Sequence, residues 1–113
     1  MALVLSSNNP YDDMTVVELQ GDVTLQTVGA VHKDLLKAAE GSARLVIQLQ
    51  PDAAVDLTGV QLLEAARRWA DAAGGAVALA KAAENGLLET LRRGGFLHTP
   101  EQRRFWLKEE WVL

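Results

Sequence analysis

The chain has 113 residues, of which 49% are hydrophobic, and it contains no cysteine. This length and apolar content predict one domain with one core, and the lack of cysteine excludes disulfides, thiolate catalysis and cysteine zinc sites. The formal net charge of -4 argues against nucleic acid and anionic membranes as partners, because both attract basic surfaces.

Four segments have the composition of β-strands. Residues 2–5 form a short apolar run, and residues 15–20, TVVELQ, end at Gly21. These two strands are close enough in sequence to form an antiparallel pair at one edge of a sheet. Residues 44–50, RLVIQLQ, and residues 76–81, AVALAK, are the other two predicted strands.

Apolar residues recur at helical spacing between and after these strands. Spacings of three and four predict amphipathic helices over about 24–39, 59–73 and 85–93. Glycines follow each of these segments, which is typical of helix ends. Strands that are joined through helices are expected to be parallel neighbours with right-handed crossovers.

The C-terminal segment opens on a strong helix signal. Residues 99–102, TPEQ, combine a threonine cap, a proline at the first helical position and a glutamine three residues after the cap. Phe105, Trp106 and Trp111 follow, and we expect them to pack this helix onto the domain. An exposed patch for a partner or a second copy is the alternative, since clustered exposed aromatic residues mark interfaces.

The element order β-β-α-β-α-β-α-α defines the predicted fold class. It is a small α/β domain with a mixed sheet, βα repeats and an antiparallel N-terminal edge strand. Residues 1–113 are predicted to be a single domain with a C-terminal helical extension over about 99–113.

Residues suited to catalysis or metal binding are sparse. His32 and His98 each lack a neighbouring acid or second histidine at ligand spacing. No glycine-rich phosphate loop follows a strand. We therefore expect no enzyme activity, no cofactor and no metal. No apolar run is long enough to span a membrane, and the first residues lack the basic start of a signal peptide, so a cytoplasmic protein is expected.

The segment AVDLTGVQLL, residues 54–63, connects the third strand to a helix. Thr58 followed by Gln61 fits a capping box, and Gly59 permits a close entry of the backbone. The carboxyl edge of an α/β sheet is also where ligands and modifications are usually found. A phosphate on Thr58 would add about 1.5 to 2 negative charges beside Asp56. The segment therefore fits a cap, a switch, or both.

Residues 45–79, together with LQGDVTLQTV at 19–28, resemble the STAS domain family of bacterial anti-sigma-factor antagonists and their relatives. The resemblance covers about residues 15–97. The family motif Asp-Ser-Ser/Thr-Gly-Leu corresponds to residues 56–60, DLTGV, so that Leu57 stands in place of a serine. The resemblance implies that Thr58 is the phosphoacceptor candidate. It also implies that the partner-binding residues are Asp56, Leu57, Thr58, Gly59 and Gln61.

The family implies several regulatory roles. The first is a phosphorylation-switched antagonist that binds an anti-sigma kinase-like protein. The second is the STAS subunit of a lipid-transport ABC system, which binds its ATPase subunit through the same surface and uses Thr58 as a contact. The third is an adaptor associated with chemotaxis or phosphorelay proteins. All three predict protein partners without nucleic acid or membrane insertion, and they allow a weak homodimer.

Overall fold

The computed structural model describes the backbone of residues 2–5 and all atoms of residues 14–109. Residues 6–13, whose composition predicts a turn-rich loop, and Trp111 lie outside the described residues. The elements, in chain order, are β1 (Ala2–Leu5), β2 (Thr15–Leu19), α1 (Val28–Gly41), β3 (Arg44–Leu49), α2 (Leu57–Ala72), β4 (Ala76–Leu79), α3 (Asn85–Gly94) and α4 (Pro100–Leu107).

The four strands form one sheet in the order β1-β2-β3-β4. β1 pairs antiparallel with β2, with Ala2 opposite Glu18. β2 pairs in parallel with β3, and β3 pairs in parallel with β4, so that Leu45 lies opposite both Thr15 and Val77. The small α/β fold with βα repeats agrees with the sequence prediction.

The core lies on one face of the sheet. Alternate residues of β2 are buried because side chains of a strand point to opposite faces in turn. Each βα crossover moves one strand further in the same direction, and right-handed crossovers then place their helices on the same face. The core cluster of the sheet and the first two helices includes Val17, Leu19, Leu45, Ile47 and Leu79 from strands, and Val31, Leu35, Val60 and Leu63 from helices.

The last helix is packed as predicted. The Thr99 hydroxyl accepts from the Gln102 amide, and the Gln102 side chain accepts in turn from the Thr99 amide, which confirms the capping box. Phe105 and Trp106 are buried, and their rings meet edge to face at 4.8 Å. Their predicted role in packing is confirmed. None of the helices in the described part of the chain combines the length and the apolar character needed to cross a membrane.

Two predicted helix starts were wrong. α1 begins at Val28 rather than near residue 24, because residues 24–27 form a turn in which the Thr24 amide donates to the Thr27 hydroxyl. α2 begins at Leu57, two residues earlier than expected. The reason for the second difference lies in the side chain of Asp56.

Candidate functional site

Two loops meet at the carboxyl edge of the sheet. The loop after β2 and the loop after β3 run side by side and form an isolated parallel bridge between Val23 and Val55. The Val23 amide donates to the Ala54 carbonyl at 2.8 Å, and the Asp56 amide donates to the Val23 carbonyl at 3.2 Å. The segments GDVT and DLTG, which are far apart in sequence, are therefore neighbours in the fold.

Asp56 joins these two loops through its carboxylate. Its Oδ1 accepts from the Gly59 amide at 2.9 Å and so caps α2, while its Oδ2 accepts from the Leu25 amide at 3.0 Å. Hydrogen bonds from the Gly59 and Leu25 amides hold the pKa of the Asp56 carboxyl below its ordinary value, because they stabilise the ionised form. The carboxylate is thus a fixed negative charge at the helix start.

Asp22 makes the reciprocal connection. Its Oδ1 accepts from the Ala54 amide at 2.9 Å, and its backbone carbonyl accepts from the Thr27 hydroxyl at 2.8 Å. The side-chain carbonyl of Gln50 accepts from the Gly21 amide at 3.0 Å and adds a third connection. Each loop therefore supplies an acid that binds the backbone of the other, which gives the site a defined shape.

Gly59 permits the close approach of α2 to the first loop. A Cβ atom built on Gly59 would overlap the carbonyl oxygen of Val23 and would lie 3.0 Å from the side chain of Val55. Gly59 is buried, so its contribution is the placement of the backbone. The prediction that this glycine allows a close entry into the helix is confirmed.

Thr58 is not the helix cap, contrary to the sequence prediction. The backbone of Asp56 is extended and its carboxylate occupies the cap position, so Thr58 is already the second helical residue. Aspartate is a strong N-cap, and here the Leu25 amide fixes it further. Gln61 is exposed and forms no capping box with Thr58. Within residues 14–109, the half-buried Thr58 hydroxyl has no hydrogen-bond partner.

Two exposed apolar residues lie next to this fixed charge, since Leu57 follows Asp56 in the chain and the Leu25 amide donates to its carboxylate. Leu25 is 68% exposed and Leu57 is 48% exposed, and both are among the large hydrophobic residues that the fold leaves in solvent. We call Leu25, Asp56, Leu57, Thr58 and Gln61 the cap surface. It brings together four of the five partner-binding residues predicted from the sequence and leaves Gly59 beneath them.

Sequence reasoning missed Asp22 and Leu25 as parts of this site. The resemblance to the STAS family covers the GDVTLQTV segment but links none of its residues to the DLTG segment. The signal that the sequence offers is an acid three residues after the end of a strand, followed by a leucine between polar residues. Only the tertiary structure shows that the Leu25 amide is a ligand of Asp56.

A cleft of about 580 Å³ lies beside the cap surface, between the loops that follow β3 and β4. Its lining includes Gln48, Gln50, Lys81 and Asn85. His32 and His98 are exposed. Across the described residues, no group of three or more histidine or acidic side chains could hold a metal ion. The site offers amide groups, single charges and apolar contacts, which suit binding.

The structure is a small α/β domain with exposed leucines beside an anchored carboxylate at the start of a helix. The family model described as "Mlab, STAS domain" matches residues 10–101, and the chain belongs to the STAS domain family. STAS domains are a regulatory protein-interaction family and are generally binding domains without enzymatic activity. No curated protein and no solved structure matches the chain.

Proposed function

We propose that this protein is a non-enzymatic, cytoplasmic interaction domain that binds an ATP-binding protein partner through the cap surface. The observation that carries the proposal is the pair of exposed leucines next to the anchored Asp56 carboxylate: Leu57 follows Asp56 in the chain, and the Leu25 amide donates to its Oδ2. Exposed apolar side chains next to a rigid polar group are typical of interface centres.

The rigidity of the surface supports binding with little ordering cost. The Asp56 carboxylate and the Asp22 carboxylate fix both loops before any partner arrives. A preorganised surface loses less conformational entropy on association than a flexible one. The two leucines then supply apolar area that is already correctly placed.

The favoured partner is the ATPase subunit of a lipid-transport ABC system. Leu57 replaces the serine of the family motif and is 48% exposed, so it adds apolar contact area where the motif carries a hydroxyl. Stable interfaces between permanent subunits are more apolar than transient ones. In this role Thr58 is a contact residue between Leu57 and the exposed Gln61.

The position of Thr58 also supports a second candidate, the phosphorylation-switched antagonist of an anti-sigma kinase-like protein. Thr58 is partly exposed at the first turn of α2, and its hydroxyl forms no hydrogen bond within residues 14–109. A phosphate there would meet the favourable dipole of the helix start and the unfavourable charge of Asp56. Both candidates predict that charge at Thr58 reduces binding.

A calorimetric titration with the ABC ATPase subunit encoded by the same organism tests the proposal. Leu57→Glu and Thr58→Asp should each weaken binding at least about tenfold, because each places a charge in a desolvated contact. Thr58→Ser should bind like the wild type. His32→Asp adds the same charge at an exposed position of α1 and should leave binding unchanged. Wild-type affinity in both Leu57→Glu and Thr58→Asp would contradict the proposal.

Two further measurements separate the candidates. Thr58→Ala should weaken binding if Thr58 is a contact, and should retain binding if the partner merely rejects phosphate. Mass spectrometry of the protein purified from its own cells should find phosphorylated Thr58 only if the protein is the phosphorylation-switched antagonist. Binding to a kinase-like protein, together with that modification, would favour the second candidate over the ABC subunit.

A further inference from the structure

A second exposed apolar patch lies near the opposite end of α1 and α2. Trp69 is 44% exposed and Leu36 is 45% exposed, and both line one open groove between the two helices. Twelve residues separate Leu57 from Trp69, which corresponds to roughly 18 Å along a helix. The groove is therefore well separated from the cap surface.

A small apolar pit lies beside the groove and shares Trp69 and Ala39 with it. Its volume is about 110 Å³, and the remaining lining residues are Ser42, Ala43, Leu45, Ala70, Ala73, Gly75 and Val77. This volume is of the same order as the roughly 150 Å³ apolar cavity that accommodates a benzene molecule. The pit therefore fits one large apolar side chain that enters past Trp69.

Two lysines give the rim of the groove a positive character. Lys33 and Lys37 are exposed, lie one helical turn apart on α1, and line the groove together with Leu36. Glu40 is the single acid among the lining residues. Within residues 14–109, neither lysine forms an ion pair, although the chain as a whole carries a net charge of -4. The local charge is thus opposite to that of the molecule.

We propose that this groove is a second docking site and that it binds an acidic amphipathic segment of a partner protein. The segment inserts one large apolar side chain into the pit and places its acidic residues against Lys33 and Lys37. The pit favours an inserted side chain over a membrane surface, and the two lysines favour an acidic segment over a neutral one. With the cap surface at the other end, the domain can hold two proteins at once.

Selection from a displayed library of random helical peptides tests this site. The library is selected on the wild type and counter-selected on Leu36→Glu, which places an acid in the groove. We expect the enriched peptides to carry a large apolar residue next to two or more acids. One such peptide, synthesised and titrated, should bind Leu36→Glu at least about tenfold more weakly than the wild type.

Charge variants test the role of the lysine rim. The double variant Lys33→Glu/Lys37→Glu should weaken the same peptide about tenfold, and added salt should reduce the difference. Leu57→Glu, which changes the cap surface, is the matched control and should bind the peptide like the wild type. This control also separates the groove from the proposed function, since failure at one surface leaves the other unaffected.

Other outcomes would overturn the groove proposal. The selection could enrich peptides without acidic residues, or it could enrich no peptide. The selected peptides could also bind Leu36→Glu as tightly as the wild type. Sedimentation with phosphatidylglycerol vesicles that is lost in Lys33→Glu/Lys37→Glu, without peptide binding, would indicate a membrane surface. A dimer that Leu36→Glu dissociates, without peptide binding, would indicate a second copy. Thermal melting checks that Leu36→Glu is folded, and Leu36→Ser replaces it if it is not.

Discussion

A single carboxylate determines the geometry of the candidate site at the residue scale. Asp56 caps α2 with one oxygen and binds the Leu25 amide with the other, so one side chain joins two loops. Asparagine at this position can still cap the helix through its carbonyl oxygen. Its amide nitrogen, however, cannot accept a hydrogen bond from Leu25. The substitution therefore keeps the hydrogen bond that caps α2 and removes the one that joins the two loops.

We predict that Asp56→Asn lowers the free energy of unfolding at neutral pH. We also expect the stability of the variant to depend less on pH in the acidic range than that of the wild type. The folded-state pKa of Asp56 is lowered, so its stabilising contribution is complete above the ordinary pKa of an aspartate, about 4, and is lost as the pH falls through lower values. Urea unfolding between neutral and acidic pH measures this. Asp52→Asn, at an exposed turn position, is the matched control. If the difference in free energy of unfolding between the wild type and Asp56→Asn stayed constant across this pH range, the prediction would be wrong.

Gly59 and Gly29 provide a matched pair of helical glycines. Gly59→Ala should destabilise the protein by about 1–3 kcal/mol, because the new methyl group overlaps the Val23 carbonyl. Gly29→Ala should instead stabilise it by roughly 0.5–1 kcal/mol, since nothing lies within contact distance of a Cβ there and alanine favours a helix. Chemical denaturation measures both. Equal effects at the two positions would show that the contact with Val23 does not determine the requirement for glycine.

Local sequence rules predicted the elements but misplaced the starts of α1 and α2. The strand near 44–50 and the helix at Pro100–Leu107 follow from β-strand composition and from a complete capping box, which are local properties. The Thr58–Gln61 spacing also resembles a capping box, yet Asp56 occupies the cap. Asp56 caps through the nearby Gly59 amide, and the Leu25 amide, 31 residues away in sequence, binds its second oxygen and fixes it in that position.

The same limit applies to the candidate sites. Thr58 and its neighbours could be predicted because the motif is contiguous in sequence. The exposure of Leu25 and Trp69 could not, because apolar residues at such spacing usually belong to a core. Their exposure depends on how far neighbouring helices and loops cover them, which is a tertiary property. Sequence therefore predicts the position of the cap surface but not the groove.

At the scale of the whole molecule, α4 connects three parts of the domain. The Trp106 indole donates to the buried Glu64 carboxylate on α2 at 2.6 Å, and the Trp106 carbonyl accepts from the Ala83 amide at 2.7 Å. The Lys108 ammonium donates to the Leu79 carbonyl at the end of β4. Arg67 pairs with the same Glu64 carboxylate at 2.8 Å, so the buried charge is shared between two donors.

We predict that Trp106→Phe destabilises the entire domain by about 2–4 kcal/mol. The change removes a donor from a buried carboxylate and leaves unfilled volume in the core. Urea unfolding followed by circular dichroism should show a lower midpoint with an unchanged slope, because α2, β4 and α4 unfold together. Trp69→Phe makes the same chemical change at a 44% exposed position of α2 and should cost far less. A separate unfolding transition of Trp106→Phe at lower urea concentration would instead show that α4 unfolds independently of the rest of the domain.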